Sequence, residues 1–374
     1  MSEIKIKTSL ASPGMVVARD IYSSNDQLIV SAGTALTDRF ITRLKFYSVS
    51  EIEIIKEDKS AVTTKRSTKK APSKAGIPSD GYSTHLETIK STSDFQQFTK
   101  SFYSSFMTYK DHLNKAVRGE TALDTEMMLN NISEIFASCQ NPSSLFDMLM
   151  GIRNLDDVTY VHSMNVALIC NLFAVWLKFS PEETRNLVLA GLLHDIGKML
   201  IPKSIITKPS KLTEEEYAKI KNHSLLGYNI LKNQKLDSHI CLAALQHHER
   251  SDGSGYPMGL SREQLDPYAR IVAIADVYDA LTAARVYRGP ICPLEVIGIF
   301  QSEGLSKYDP QYLMVFLEGI MNSYMNHTVR LSNGETGRIV LMQRNSLSRP
   351  VVYISENHYI DLAKQTEITV TEII

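Results

Sequence analysis

From residue 85 to about residue 323, apolar positions recur every three or four residues, the spacing of one buried helical face. Phe95, Phe98, Phe102 and Phe106 are the plainest example and read as the core stripe of a single helix. On either side the period changes. Residues 3–56 alternate short strand-like runs at 4–6, 15–18 and 28–30 with turn signals at Pro13-Gly14, Asn25-Asp26 and Gly33. Thr37 is placed to cap a short helix turning Phe40, Ile41 and Leu44 inward, and 51–55 returns as a strand. After Asn326, the runs 327–331, 337–343, 351–354 and 368–373 are β-rich, with Asn333-Gly334 as a hairpin turn. The pattern predicts a mainly α protein: a helical bundle with a small N-terminal α+β domain and a short C-terminal β subdomain.

The domains expected are 1–56, a linker at 57–84, a helical region at 85–326 and the β subdomain at 327–374. Residues 57–84 are rich in Lys, Ser and Thr and nearly lack large apolar side chains, the composition of a mobile linker. The basic cluster within it (Lys65, Arg66, Lys69, Lys70 and Lys74) has no interleaved aromatics and reads as solvated rather than as a nucleic-acid site. Inside the helical region, Asn141-Pro142 opens a helix running to Met150, and further helices are expected over 214–233 and 238–246.

With 374 residues, 43% hydrophobic content and a formal net charge of −1, the chain has no global electrostatic reason to bind nucleic acid or membranes. Cys139, Cys170, Cys241 and Cys292 lie far apart and form no C-x-x-C pair, which fits a reducing compartment. The N-terminus has no signal-like apolar run. The most apolar helix, 166–177, is expected to be broken by Asn171 and too short to span a bilayer. These features predict a cytoplasmic protein without a membrane span.

The chemistry lies in the histidines. Six of the ten fall between residues 162 and 248, and only His239 has no place in the pattern. His162, His194 with Asp195, His223, the pair His247-His248 and Asp276 each sit in a helical stretch about one helix and a turn from the next. Imidazole and carboxylate suit a first-row transition metal, and successive antiparallel helices bring such ligands into one bundle core. His162 alone reads as a satisfied core histidine, and His247-His248 alone reads equally as a surface pair. Asp276 and Asp279 share one face of an otherwise apolar helix, a costly placement unless they are paired or metal-bound. Gly197 is expected to release the helix after Asp195, leaving Asp195 to bridge two ions and Lys198 near them. Asp252-Gly253-Ser254-Gly255 is a tight turn directly after the histidine pair.

The runs H-D-I-G-K-M-L-I-P (194–202) and H-H-E-R-S-D-G-S-G-Y-P (247–257) resemble the HD-GYP family of HD phosphohydrolases. The resemblance covers roughly residues 150–325, and residues 3–56 resemble the small domain that often precedes that catalytic domain. It implies an HD-type bundle and a phosphodiesterase opening cyclic di-GMP to pGpG and GMP. His162, His194, Asp195, His223, His247, His248 and Asp276 match the family's metal ligands, and Lys198 matches a lysine on the scissile phosphate. Asp252, Gly253, Gly255, Tyr256 and Pro257 form the namesake loop on the substrate side. Arg285 matches a substrate-side basic residue, with Arg288 assisting and Asp279 in support of the ligands. Where some members have a glutamate that holds a third metal, this chain has Val158, so two divalent transition metals are expected: iron by family precedent, with manganese next.

Two such ions about 3.5–4 Å apart would share a hydroxide nucleophile and hold a phosphate oxygen, with Lys198 offsetting the developing charge. The same chemistry on 3′,3′-cyclic GMP-AMP, or a silent cyclic-dinucleotide receptor, are the alternatives. Partners implied are a second copy of the chain and a diguanylate cyclase domain at the G-Y-P loop.

Overall fold

A computed structural model describes residues 2–8, 11–12, 14–22, 28–36, 44, 51–56, 85–139, 144–152, 158–208, 210–283 and 291–374. They belong to two compact units, Met1–Asp80 and Gly81–Ile374.

In the first unit, β1 (Ser2–Lys7) pairs antiparallel with β5 (Glu51–Lys56) along its whole length, and β2 (Val16–Val17) takes the other edge of β5. A separate ribbon joins β3 (Ile21–Tyr22) to β4 (Leu28–Val30). The period-two alternation of β5 sends Ile52 and Ile54 into a core with Val17, Val30, Leu36 and Leu44. Glu51 and Glu53 point the other way, to Lys5 at 2.7 Å and Arg19 at 2.9 Å. The two-residue β3 gave no signal in the sequence. The helix expected from Thr37 lies outside the described residues except for Leu44, and so does the linker at 57–84.

The second unit opens with α1 (His85–Ser91) and α2 (Ser93–Val117), whose start is capped by Thr92 accepting from the Phe95 amide at 3.2 Å. Phe95, Phe98, Phe102 and Phe106 are all buried along α2. After α3 (Thr125–Ala137), α4 (Leu145–Ile152) ends two residues later than its sequence pattern suggests, and its expected start at Asn141-Pro142 lies outside the described residues.

The bundle proper is α5 (Val158–Leu177), α6 (Pro181–Leu193), α7 (Glu214–Lys221), α8 (His223–Leu231), α9 (Ser238–Gln246), α10 (Pro267–Thr282), α11 (Pro293–Ile299) and α12 (Pro310–Ser323). Phe316 of α12 stacks on Phe173 of α5 at 5.0 Å and meets Tyr278 of α10 edge-on at 5.3 Å, joining three helices through one aromatic cluster.

Two expectations fail here. First, α5 runs unbroken through Asn171, and its segment Thr159–Leu177 is long and apolar enough to cross a membrane by length and composition. Asn171 is only half-buried and keeps its backbone donor, so nothing at that position interrupts the helix. The apolar length serves the bundle, since 67% of that stretch is buried within it. Second, 214–233 is not one helix. At Asn222 (φ −68°, ψ −11°) the amide is shared among the carbonyls of Ala218, Lys219 and Ile220, which tightens the turn and separates α7 from α8.

The C-terminal sheet has the order β10-β6-β7-β8-β9 with antiparallel neighbours throughout: β6 (Thr328–Leu331), β7 (Thr336–Leu341), β8 (Val351–Ser355), β9 (His358–Asp361) and β10 (Val370–Ile373). Val329, Leu331, Ile339, Val352, Ile360, Val370 and Ile373 are its buried apolar side chains. Gly334, at φ +89°, makes the expected β6–β7 turn. The sequence reading missed β9. His327, just before β6, binds Asp147 of α4 at 3.0 Å.

Candidate metal centre

The helices deliver their polar side chains to one place. His162 comes from α5, His194 and Asp195 from the end of α6, His223 from the first position of α8, His247 and His248 from just past α9, and Asp276 from α10. His194, His223 and His247 are fully buried and Asp195 is 1% exposed.

Three of the imidazoles are oriented by the same local device. Nδ1 of His194 lies 2.7 Å from the Gly191 carbonyl, Nδ1 of His223 lies 2.6 Å from Ile220, and Nδ1 of His247 lies 3.1 Å from both Ala243 and Ala244. A carbonyl only accepts, so each Nδ1 carries the proton and each Nε2 keeps a lone pair. Those lone pairs converge on Asp195. His194 Nε2 is 3.4 Å from Oδ2, whereas His223 and His247 Nε2 are 3.3 and 3.6 Å from Oδ1. His194 Nε2 and Asp195 Oδ1 have no hydrogen-bond partner although both are buried. Such orphaned acceptors cost about 1–3 kcal/mol each unless something positive meets them.

A cation fits this arrangement. Asp195, His223, His247 and His248 form one set of ligand atoms within 4.8 Å of one another, and His162, His194 and Asp195 form a second. Asp195 belongs to both sets, so the site is built for two divalent metal ions about one carboxylate. Imidazole-rich donors suit first-row transition ions better than magnesium or calcium.

Asp276 and Asp279 enter through His162. Its Nε2 is 2.9 Å from Asp276 Oδ1 and its Nδ1 is 2.7 Å from Asp279 Oδ2, while Asp279 Oδ1 accepts from Asn165 at 3.0 Å. Asp276 Oδ2 also stands 4.0 Å from His248 Nδ1. Burial alone would lower the His162 pKa, but hydrogen bonds to Asp276 and then Asp279 outweigh it and raise it to about 10. The proton on His162 Nε2 therefore occupies a place that a metal ion would take, with Asp279 fixing Nδ1–H. Burial would also raise the Asp195 carboxyl, yet the Lys198 ammonium at 2.5 Å holds it well below the usual carboxylate range. Burial pushes His247 down to about 4 and lowers His248 as well, which keeps both rings neutral and able to ligate.

Gly197 has a different role from the one expected. The helix has already ended at Leu193, and Gly197 lies within a 3₁₀ turn, Ile196–Leu200. A Cβ there would sit 2.0 Å from the His223 carbonyl oxygen and 2.5 Å from the Gly227 amide. Its missing side chain lets this turn press on α8, which brings His223 up to Asp195.

The G-Y-P loop folds back over the centre. Asp252 Oδ1 accepts from the Ser254 amide and hydroxyl at 3.0 and 2.6 Å, and the Tyr256 amide donates to the His248 carbonyl at 3.2 Å. The Tyr256 ring stacks on His248 with centroids 4.6 Å apart, ahead of a cis Tyr256–Pro257 bond. Gly255 is required because a Cβ would lie 2.3 Å from Glu249 Cα. Tyr256 thus reaches His248, whereas Asp252 and Pro257 are exposed.

Glu249 and Asn165 were not anticipated. Glu249 is 2% exposed, and its carboxylate accepts from the Met258 amide at 2.6 Å and the Leu260 amide at 3.0 Å, clamping the loop's exit. Its only signal in the sequence is an acid directly after two histidines. His239 pairs with Asp266 at 2.5 Å. Arg285 and Arg288 lie outside the described residues, as does the side chain of Val158.

Residues 143–312 match the HD domain family profile. The chain is 35% identical over 235 residues to a cyclic di-GMP phosphodiesterase of Pseudomonas aeruginosa, covering 62% of this chain and 56% of that protein. It is 42% identical over 167 residues to a 3′3′-cGAMP-specific phosphodiesterase of Vibrio cholerae, covering 44% of this chain and 39% of that one. A cyclic di-GMP phosphodiesterase response regulator of Xanthomonas campestris is 40% identical over 178 residues, with 47% of each chain covered. The matched stretch thus spans from about two fifths to just over half the length of these relatives. Among solved structures, an HDG"Y"P protein from Bdellovibrio bacteriovorus shares the fold at a TM-score of 0.52 and 18% identity, with 84% of this chain and 98% of that chain covered.

Proposed function

This chain belongs to the HD-type phosphohydrolases, in their HD-GYP-like family, and on that premise we propose that it is a metal-dependent phosphodiesterase opening cyclic di-GMP to pGpG, GMP or both. The observation that carries the reading is the sharing of Asp195 between two ligand sets, with His194 Nε2 and Asp195 Oδ1 buried and without a hydrogen-bond partner. His223, His247 and His248 would hold one ion with Asp195. His162, His194 and Asp276 would hold the other. We take the ions to be iron, with manganese next, and when bound they supply Lewis-acid charge and a nucleophile at neutral pH.

The protein's own groups divide the remaining work. In hydrolysis, water adds to phosphorus, the bond from phosphorus to the ribose 3′-oxygen breaks, and that oxygen leaves with a proton. Lys198 is 24% exposed and reaches Asp195 from the open side of the site, so its ammonium is placed to turn toward a phosphoryl oxygen and offset the growing charge. Asp279, held by Asn165, keeps the His162 ring in one tautomer and orientation. Tyr256, fixed on His248 by the clamp at Glu249, walls the mouth. Asp252, Gly255, Pro257, Arg285 and Arg288 complete the proposed substrate side.

The similarity to a Vibrio cholerae protein named for 3′3′-cGAMP supports a second reading, the same reaction on that dinucleotide. We extend the proposal to a cytoplasmic setting, which suits four free cysteines. It also extends to a homodimer, to a diguanylate cyclase domain as partner on the exposed side of the loop, and to domain limits of 1–56, 85–326 and 327–374. The test is anaerobic purification, metal counting and chromatography of cyclic di-GMP turnover. Turnover is expected in the metal-loaded protein, and its retention in a His194→Ala/Asp195→Ala variant would overturn the proposal.

A further inference from the structure

Beside the centre, α7 ends on the cation Lys221. Lys221 Nζ lies 4.9 Å from the centre of the Tyr217 ring and 5.5 Å from that of Tyr256. Among the described residues no carboxylate comes within ion-pairing distance of it, whereas Lys198 is held by Asp195. Tyr256 is itself stacked on His248, so Lys221 stands one ring beyond a metal ligand. Tyr217 is 49% exposed, and the ammonium lies over its ring. The break at Asn222 makes this possible, because it ends α7 at Lys221 immediately before α8 begins with His223.

From this we infer that Tyr217 and Lys221 form a base-reading subsite that selects guanine in the substrate; the inference rests on the cyclic-dinucleotide reading above. A purine stacked on Tyr217 would turn its edge toward Lys221. Guanine offers two acceptors on that edge, O6 and N7, and these suit an ammonium that has only donors. Adenine offers N7 beside an amino group that is itself a donor, so the same lysine would face a like partner. The phosphates are served elsewhere, by Lys198 and the centre. Lys221 is therefore a specificity-determining residue, and neither the H-D and G-Y-P motifs nor the ligand set includes it.

The experiment uses the metal-loaded full chain and three probes: cyclic di-GMP, 3′,3′-cyclic GMP-AMP and cyclic di-AMP. Equilibrium binding and steady-state turnover are measured for the wild type, Lys221→Met and Lys221→Arg. The wild type is expected to bind the probes in order of guanine content. Lys221→Met should raise KM and Kd for cyclic di-GMP about tenfold and those for cyclic di-AMP less than about twofold. Its kcat and bound metal should stay unchanged, and Lys221→Arg should restore the guanine preference. Equal losses on all three probes would mean a phosphate contact and would overturn the inference, as would no loss on any of them. Binding ordered by guanine content without turnover would sustain the subsite and remove the phosphodiesterase reading. A wild type that binds none of the three would remove both.

Discussion

Nε2 of His223 and Nε2 of His247 face each other at 3.2 Å, and neither ring has a proton to give, because each Nδ1 is committed to a carbonyl of its own helix. Two acceptors that close, in a fully buried site, call for a cation between or beside them. The geometry comes from backbone features rather than from the histidines themselves. The turn at Asn222 aims His223, and the end of α9 aims His247.

Asp195→Asn should separate the two ion sites. An amide offers one acceptor and one donor where the carboxylate offers acceptors on both oxygens. The variant is expected to hold no more than one ion per chain by elemental analysis. Chelation should then cost the wild type about 2–4 kcal/mol of stability in denaturant titration and the variant clearly less. An undiminished ion count would refute the bridging role.

Asp279→Asn reaches the metal site through His162. Without the carboxylate on Nδ1 the ring loses its orienting partner, and affinity at the site shared by His162 and His194 should fall about 10–100-fold. Competition against a chromophoric chelator would register that weakening in one of the two binding phases, while the other phase stays in place.

Lys198→Ala should spare the metals and slow the chemistry. Loss of a charge that acts mainly on the transition state predicts a kcat about 10²–10³-fold lower with KM little changed. A raised KM at normal kcat would make Lys198 a ground-state binder instead.

His327 and Asp147 predict a pH-dependent anchor for the C-terminal sheet. Burial pulls the His327 imidazole down, but the hydrogen bond and charge of Asp147 outweigh it, so its folded pKa lies above the ordinary value. A raised folded pKa gives stability that is complete below about pH 6.5 and is lost as pH rises through the folded value. Denaturant titrations of the wild type should therefore show about 1 kcal/mol more stability at pH 6 than at pH 9 from this pair. His327→Gln should flatten that difference, and an unaltered pH profile in the variant would dismiss the pair as the cause.

Much of the centre was legible because its placement is costly. Acids at 276 and 279 within the run R-I-V-A-I-A-D-V-Y-D-A-L have no reason to be there unless something binds them, and both meet His162. The all-helical core and the β-rich end followed from hydrophobic period alone. The break at Asn222 was hidden because Ile220, Leu226 and Ile230 keep the helical period running across it, and the period does not register a change in ψ. Gly197 looked like a helix stop, since a close approach to the His223 carbonyl leaves no local trace. Glu249 acts on amides nine and eleven residues away in a loop whose path is set by tertiary contacts. Strand β9, four residues long, is too short for its alternation to stand out from a turn.

The most direct measurement is anomalous X-ray diffraction at the metal absorption edge, on crystals of the full chain purified without oxygen. The account predicts two peaks about 3.5–4 Å apart, one on each side of the Asp195 carboxylate. A single peak, or two peaks that do not share Asp195, would contradict it.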